Sequence, residues 1–275
     1  MIRCYYLIKK VKKFSLGNMD ENIIEIHDSF QSYEITAIKL SFSSRLTYLE
    51  SSKLLSALKN LQEVRLDNNQ LVSVDSDLFN GLNSLSAVYL SHNQLSSVNA
   101  NIFHGLVSLK SIYLDNNRIR SVESSLFYGL HNLKEIYLDD NRITALNDSN
   151  LFKGLTNLKA IYLSNNFISE LDKRLFNGLS SLQELYLSNN RLTAIDKNMF
   201  TGLRNLKTLS ISHNQLKSID PYIFFNLTRL KHIYLHQNKL NVDRLTLFLE
   251  DNVEFVSFKA SSTQNDIKLI YKPLI

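Results

Sequence analysis

The stretch Leu106-Val107-Ser108-Leu109-Lys110-Ser111-Ile112-Tyr113-Leu114-Asp115-Asn116-Asn117-Arg118-Ile119 spaces its apolar residues around one asparagine, and the frame returns as Leu179, Leu182, Leu185, Leu187, Asn190 and Leu192. That asparagine recurs as Asn69, Asn93, Asn117, Asn141, Asn166, Asn190, Asn214 and Asn238, at six intervals of 24 residues and one of 25. One supersecondary unit is therefore repeated and stacked, so the functional question concerns a surface and not a pocket.

The centre of the unit alternates with period two, as a short strand buried on one face does. The residues after Asn lack that alternation. They must turn the chain, cross the far side and return it, so that consecutive strands run parallel in one right-handed coil. An amide with donors and an acceptor can satisfy backbone groups that the turn leaves unpaired. A second column, Phe79, Phe103, Phe127, Phe152, Phe176, Phe200 and Phe224, reads as a spine beneath the returning segment. Two residues later, six of the seven glycines occupy one repeat position, from Gly81 to Gly202, which predicts positive φ there. The seventh copy carries Asn226, and Asn is the usual substitute in that conformation.

The pattern L-x-x-L-x-L-x-x-N-x-L resembles the leucine-rich repeat, in eight copies from about Leu58 to Leu240. The resemblance implies an α/β solenoid, a right-handed horseshoe with a parallel β-sheet on the concave face and irregular or short helical convex segments. The 24-residue unit with fixed Phe and Gly-Leu is similar to the "typical" class, found mostly in cell-surface receptors, axon-guidance ligands and matrix proteoglycans. Caps of that class normally carry disulfides, whereas Cys4 is the only cysteine here, so no intramolecular disulfide can form.

The expected organisation is a basic tail (1–20), an amino-terminal cap with a degenerate first repeat (21–57), eight repeats (58–240), a carboxy-terminal cap (241–260) and a tail (261–275). Within the front cap, Ile23–Ile26 reads as a cap strand and Ile35–Leu46 as a repeat with serines where Asn belongs. The net charge of +5 suggests a polyanion partner until the charges are located. Arg3, Lys9, Lys10, Lys12 and Lys13 supply +5, and Lys259, Lys268 and Lys272 against Asp266 supply +2, which leaves −2 for residues 17–258. The repeat block is near neutral, and nucleic acid is not an expected partner. The opening residues match a signal peptide poorly, because the apolar run Ile2–Ile8 is short and its charge cluster follows it. Either the chain is not exported by that route or its native start lies elsewhere. No apolar run is long enough to span a bilayer.

Residues alternating with the buried leucines face the concave side, the usual binding surface by resemblance. They include a column of Tyr89, Tyr113, Tyr137, Tyr162 and Tyr186, resumed by Tyr234 after Ser210, and flanked by Asp115, Glu135, Asp139, Asp140 and Glu184. One reading makes the tyrosines common filler packed on its neighbours. The other makes them a recognition strip, since Tyr is favoured at hot spots, with an acidic flank that favours a basic protein ligand. His232 and His236 are too far apart on one strand to share a metal, although His213 can approach His236. No nucleophile, base and orienting group converge, so neither an enzyme, a cofactor nor a small-molecule substrate is expected. Asn147-Asp148-Ser149 and Asn226-Leu227-Thr228 are glycosylation sequons, relevant only in the secretory path. The leading expectation is a cell-surface or secreted protein-recognition module. An intracellular scaffold and a piece of a larger receptor stand beside it.

Overall fold

The computed structural model describes residues 13–15, 37–39, 48–49, 55, 58–241, 245–249, 251, 253–257 and 268–271. In chain order its strands are β1 (Lys13–Ser15), β2 (Ala37–Lys39), β3 (Tyr48–Leu49), β4 (Glu63–Arg65), β5 (Ser73–Val74), β6 (Ala87–Tyr89), β7 (Ser111–Tyr113), β8 (Glu135–Tyr137) and β9 (Ala145–Leu146). There follow β10 (Ala160–Tyr162), β11 (Glu170–Leu171), β12 (Glu184–Tyr186), β13 (Thr208–Ser210), β14 (His232–Tyr234), β15 (Thr246–Leu249), β16 (Phe255–Ser257) and β17 (Lys268–Tyr271).

One three-residue strand per coil enters an 11-stranded parallel sheet, in the order β1-β2-β4-β6-β7-β8-β10-β12-β13-β14-β16. Registers are equivalent throughout, with Tyr113 opposite Tyr137 and Tyr137 opposite Tyr162, so like positions form straight columns. Short two-stranded pairs, β3–β5, β9–β11 and β15–β17, lie outside this sheet. From 58 to 240 the returning segments are turns and not helices. Their entry is set by a side chain: the Oδ1 of Asp75, Asn99, Asp148, Asp172, Asp196 or Asp220 accepts the N–H two residues on, a local bond that competes with helix.

The interior is one continuous core. Within it the phenylalanine spine is fully buried, with neighbouring rings stacked at 6.0 to 6.5 Å where they pair. The repeat glycines take φ from 78° to 88° and Asn226 takes 71° at the equivalent turn, as the spacing predicts.

The asparagine column ties each coil to the one before it. Asn117 Nδ2 donates to Leu90 O of the preceding coil at 2.9 Å and to Leu114 O of its own at 3.1 Å. Its Oδ1 accepts the Leu95 N–H at 3.0 Å. Asn93, Asn141, Asn166, Asn190 and Asn214 repeat this three-way connection, buried, and Asn238 makes it half-buried.

Two segments expected to be tails contain strands. Lys13–Ser15 extends the sheet at its front edge, and Lys268–Tyr271 pairs with β15, whose Leu247 and Leu249 are buried. Three or four residues outside the repeat carry too little periodicity to be told from a tail. Ala37–Lys39 of the degenerate first repeat is β2, while the cap strand expected at Ile23–Ile26 lies outside the described residues.

Phe152→Ala should cost about 3 to 5 kcal/mol in urea unfolding, since it empties the centre of a packed column. Asn141→Ala should cost about 1 to 3 kcal/mol by orphaning the Ile119 N–H and two carbonyls. Unchanged unfolding midpoints in both variants would contradict this packing.

Candidate recognition face

Each strand buries its central Leu, Ile or Val, so the residues on either side of it face the concave surface. Strands spaced about 4.8 Å apart leave equivalent rings no alternative to stacking. Tyr89, Tyr113, Tyr137, Tyr162 and Tyr186 form an unbroken ladder with centroid separations of 4.4, 4.5, 4.4 and 5.1 Å and interplanar angles of 5° to 16°. The rings cover one another's faces. A ligand therefore meets phenol edges and hydroxyls along most of the strip. At the front, the Arg65 guanidinium lies 3.9 Å over Tyr89 and 3.5 Å from Glu63.

Tyr234 does not resume the stack. Ser210 separates it from Tyr186 by two strand steps, and its ring packs instead on Phe255, 5.5 Å away and tilted by 52°, with His236 edge-on at 6.4 Å. The nearer aromatic neighbour on β16 decides its orientation.

The carboxylates expected beside the ladder are there, and Asp115, Glu135, Asp139 and Glu184 are engaged. Ser111 Oγ donates to Glu135 at 3.1 Å, the Tyr162 hydroxyl to Glu184 at 3.0 Å, and the Ser164 N–H to Asp139 at 2.7 Å. Ser91 Oγ donates to Asp115. An open groove along the strip brings Asp67, Asp115, Asp139 and Asp140 together with Arg65 and the first three ladder tyrosines. Burial, opposed by the Ser164 N–H and aided by Asp140 and Asp115, pushes the Asp139 carboxyl up to about 7. Burial, then Glu184, raises the Tyr186 phenol to about 12 and holds Tyr162 higher still. At neutral pH the strip thus presents intact phenols and one carboxyl near its midpoint.

Beyond Tyr186, Ser188 Oγ is bonded to Ser210 Oγ and to Ser212 Oγ at 2.9 Å, a buried hydroxyl cluster shared by the two adjacent coils of β12 and β13. His213 and His236 do approach, ring centroids 5.1 Å apart and edge-on, while His236 Nδ1 lies 2.7 Å from Ser257 Oγ. Burial, then His213, lowers the His236 pKa. Among the described residues no group of three His, Cys, Asp or Glu side chains could hold a metal ion, and no helix is long and apolar enough to cross a membrane. The sequon asparagines Asn147 and Asn226 are both exposed, and Asn147 Nδ2 donates to Glu170 at 3.0 Å.

A feature missed in the sequence is the residue before each ladder asparagine. Asn68, His92, Asn116, Asp140, Asn165, Asn189, His213 and Gln237 all take left-handed φ of 51° to 59°. The signal was available, because Asn, Asp and His are enriched in that region and fill seven of the eight positions. In each Asn-Asn pair the first residue turns the backbone and the second joins the coils.

The leucine rich repeat family profile matches residues 59–119, 108–151, 148–192 and 180–240. The chain belongs to the leucine-rich repeat family. Among solved structures it is similar to a TLR13–ssRNA13 complex, with TM-score 0.71 and 22% identity over 94% of this chain and 43% of that one. It is also similar to Toll in the Toll–Spatzle complex from Drosophila, glycosylated form, with TM-score 0.65 and 23% identity over 82% of this chain and 35% of that one. At such identities the likeness establishes the fold. The chain spans less than half the length of either relative. No curated protein sequence matches it.

A carboxyl-carbon NMR titration should place the Asp139 midpoint near pH 7, against 3.8 for an ordinary Asp; a midpoint near the latter would contradict the site's electrostatics. Because this folded-state value is raised, the stability Asp139 contributes is full below 3.8 and is lost as pH rises through about 7. Asp139→Asn should therefore gain stability relative to the parent across that interval, read from paired thermal melts.

Proposed function

We propose that this chain is a non-enzymatic recognition module that binds a protein partner on its concave face. The strip from Tyr89 to Tyr186, with Asp115, Glu135, Asp139 and Glu184, supplies the contacts, and Tyr234 lies at its far end. The observation that carries this reading is the five-ring stack itself, a rigid array of phenol edges whose ordering cost is met when the chain folds and not when a partner arrives. The carboxylates favour a basic surface on that partner, and they oppose a polyanion. One similar structure is described as a complex with single-stranded RNA and another as a complex with the protein Spatzle, so both ligand classes belong in the test. Resemblance to the typical repeat class supports a cell-surface or secreted setting, in which Asn147 and Asn226 become candidate glycosylation sites. A second reading, a segment of a larger receptor, is favoured by the chain's coverage of less than half of its solved relatives.

The test is affinity capture with the full chain, its Tyr137→Ala/Tyr162→Ala variant, and a convex-side Tyr128→Ala control, with single-stranded RNA offered in parallel. Proteins retained by the parent and the control should be lost, roughly tenfold or more, from the double variant, since two central contacts together are worth over 1.4 kcal/mol. Equal retention by all three proteins would refute the face, and RNA retention in place of protein would refute the partner class.

A further inference from the structure

The tyrosine column is interrupted once. Between Tyr186 on β12 and Tyr234 on β14, the matching position on β13 is Ser210. Tyr162 covers one face of the Tyr186 ring at 5.1 Å. On the other side the next phenol in register is two strand spacings away, roughly 9.6 Å. A flat group over Ser210 would lie about 4.8 Å from the Tyr186 ring, while the Tyr234 ring turns toward Phe255 and leaves that side open. That distance matches the 4.4 to 5.1 Å separations that the ladder itself uses. The foot of the gap is closed by Ser210, which is 7% exposed and has its hydroxyl tied to Ser188. A guest would be held by ring surface, entering from the rim.

Charge selects the guest. Glu184 stands two residues before Tyr186 on the same strand, accepts the Tyr162 hydroxyl at 3.0 Å, and acts on the Tyr186 phenol as well. The opposite end of the ladder shows the same parts with the vacancy filled. There Arg65 occupies the column position on β4, its guanidinium 3.9 Å over the Tyr89 ring and 3.5 Å from Glu63, two residues earlier on its strand. Tyr186 and Glu184 supply a ring face and a carboxylate without the guanidinium, the carboxylate here standing on the ring's own strand and not on the cation's.

We propose that the gap over Ser210 receives an arginine side chain of a protein partner, its guanidinium stacked on Tyr186 and paired with Glu184. The proposal rests on the concave face being the recognition face and names the group that face selects. A guanidinium is planar, stacks on aromatic faces and presents a fork of donors, whereas an ammonium is a compact charge that fills the slot poorly. A neutral aromatic guest would leave the Glu184 charge unanswered.

The full chain, with carbon-13-labelled tyrosine rings, is titrated with acetyl-Gly-Arg-Gly-amide and with its lysine and citrulline counterparts. Saturable shifts at Tyr186 are expected with the arginine peptide, several-fold weaker with lysine and absent with citrulline. Ser210→Tyr, which completes the column, should abolish the response, and Glu184→Gln should weaken it several-fold. An absent arginine response, an equal citrulline response, or an unaltered response in Ser210→Tyr would overturn the proposal. Supplying the group within the chain gives a second measurement. Ser210→Arg should raise the melting temperature, and adding Glu184→Gln should remove the gain; a fall or no change in the single variant counts against the site. If these tests fail while Tyr137→Ala/Tyr162→Ala still loses captured proteins, the arginine slot alone is wrong. If capture is also unaffected, the face is wrong.

Discussion

A backbone that turns sharply once in every coil leaves donors and acceptors inside a protein with no water to satisfy them, and one asparagine per coil answers that problem. Each amide bonds to its own turn and to the turn before it, so neighbouring coils are held at a fixed offset. Leucine burial supplies most of the favourable free energy, but apolar contacts are non-directional and would tolerate slippage between coils. The amide column removes that freedom. Its geometry requires a left-handed residue just before it, which is why Asn, Asp and His cluster there.

Register on the concave side follows from the same offset. With coils locked in step, any residue type repeated at one strand position becomes a column at strand spacing, and five tyrosines become a stack. The stack then limits its own chemistry. Ring faces inside it are consumed by neighbours, so a partner can reach faces only where the column ends or breaks. Arg65 covers the front end, and Ser210 makes the break. The carboxylates are subject to a similar constraint: Asp139, half-buried and beside two further aspartates, keeps its proton to about pH 7, so the charge of the face changes across the physiological range.

Most of the architecture was legible in the sequence because a 24-residue period leaves an asparagine, a phenylalanine and a glycine at fixed offsets, each with one physical role. The tyrosine stack was legible for the same reason. What was not legible lies where the period stops or where a side chain chooses between neighbours. Tyr234 reads as a continuation of the column, yet Phe255, from a segment outside the repeat, draws its ring away. Lys13–Ser15 and Lys268–Tyr271 are strands because a partner edge is available to them, which three or four residues of sequence cannot announce. The aspartate that opens most returning segments, with Asn99 in its place once, was visible as a letter, but its role depends on a local bond from the N–H two residues on.

The most direct measurement of the central claim is native-state hydrogen exchange at the amides of Leu95, Ile119, Ile143, Ile168 and Leu192, each of which donates to the asparagine of the following coil. If the amide column locks the coils together, these N–H groups exchange only with global unfolding, as slowly as the strand amides beside them. Exchange at the rate of solvent-exposed turn amides would show that the coils are not joined through their asparagines, and the registered face built on that joint would fall with it.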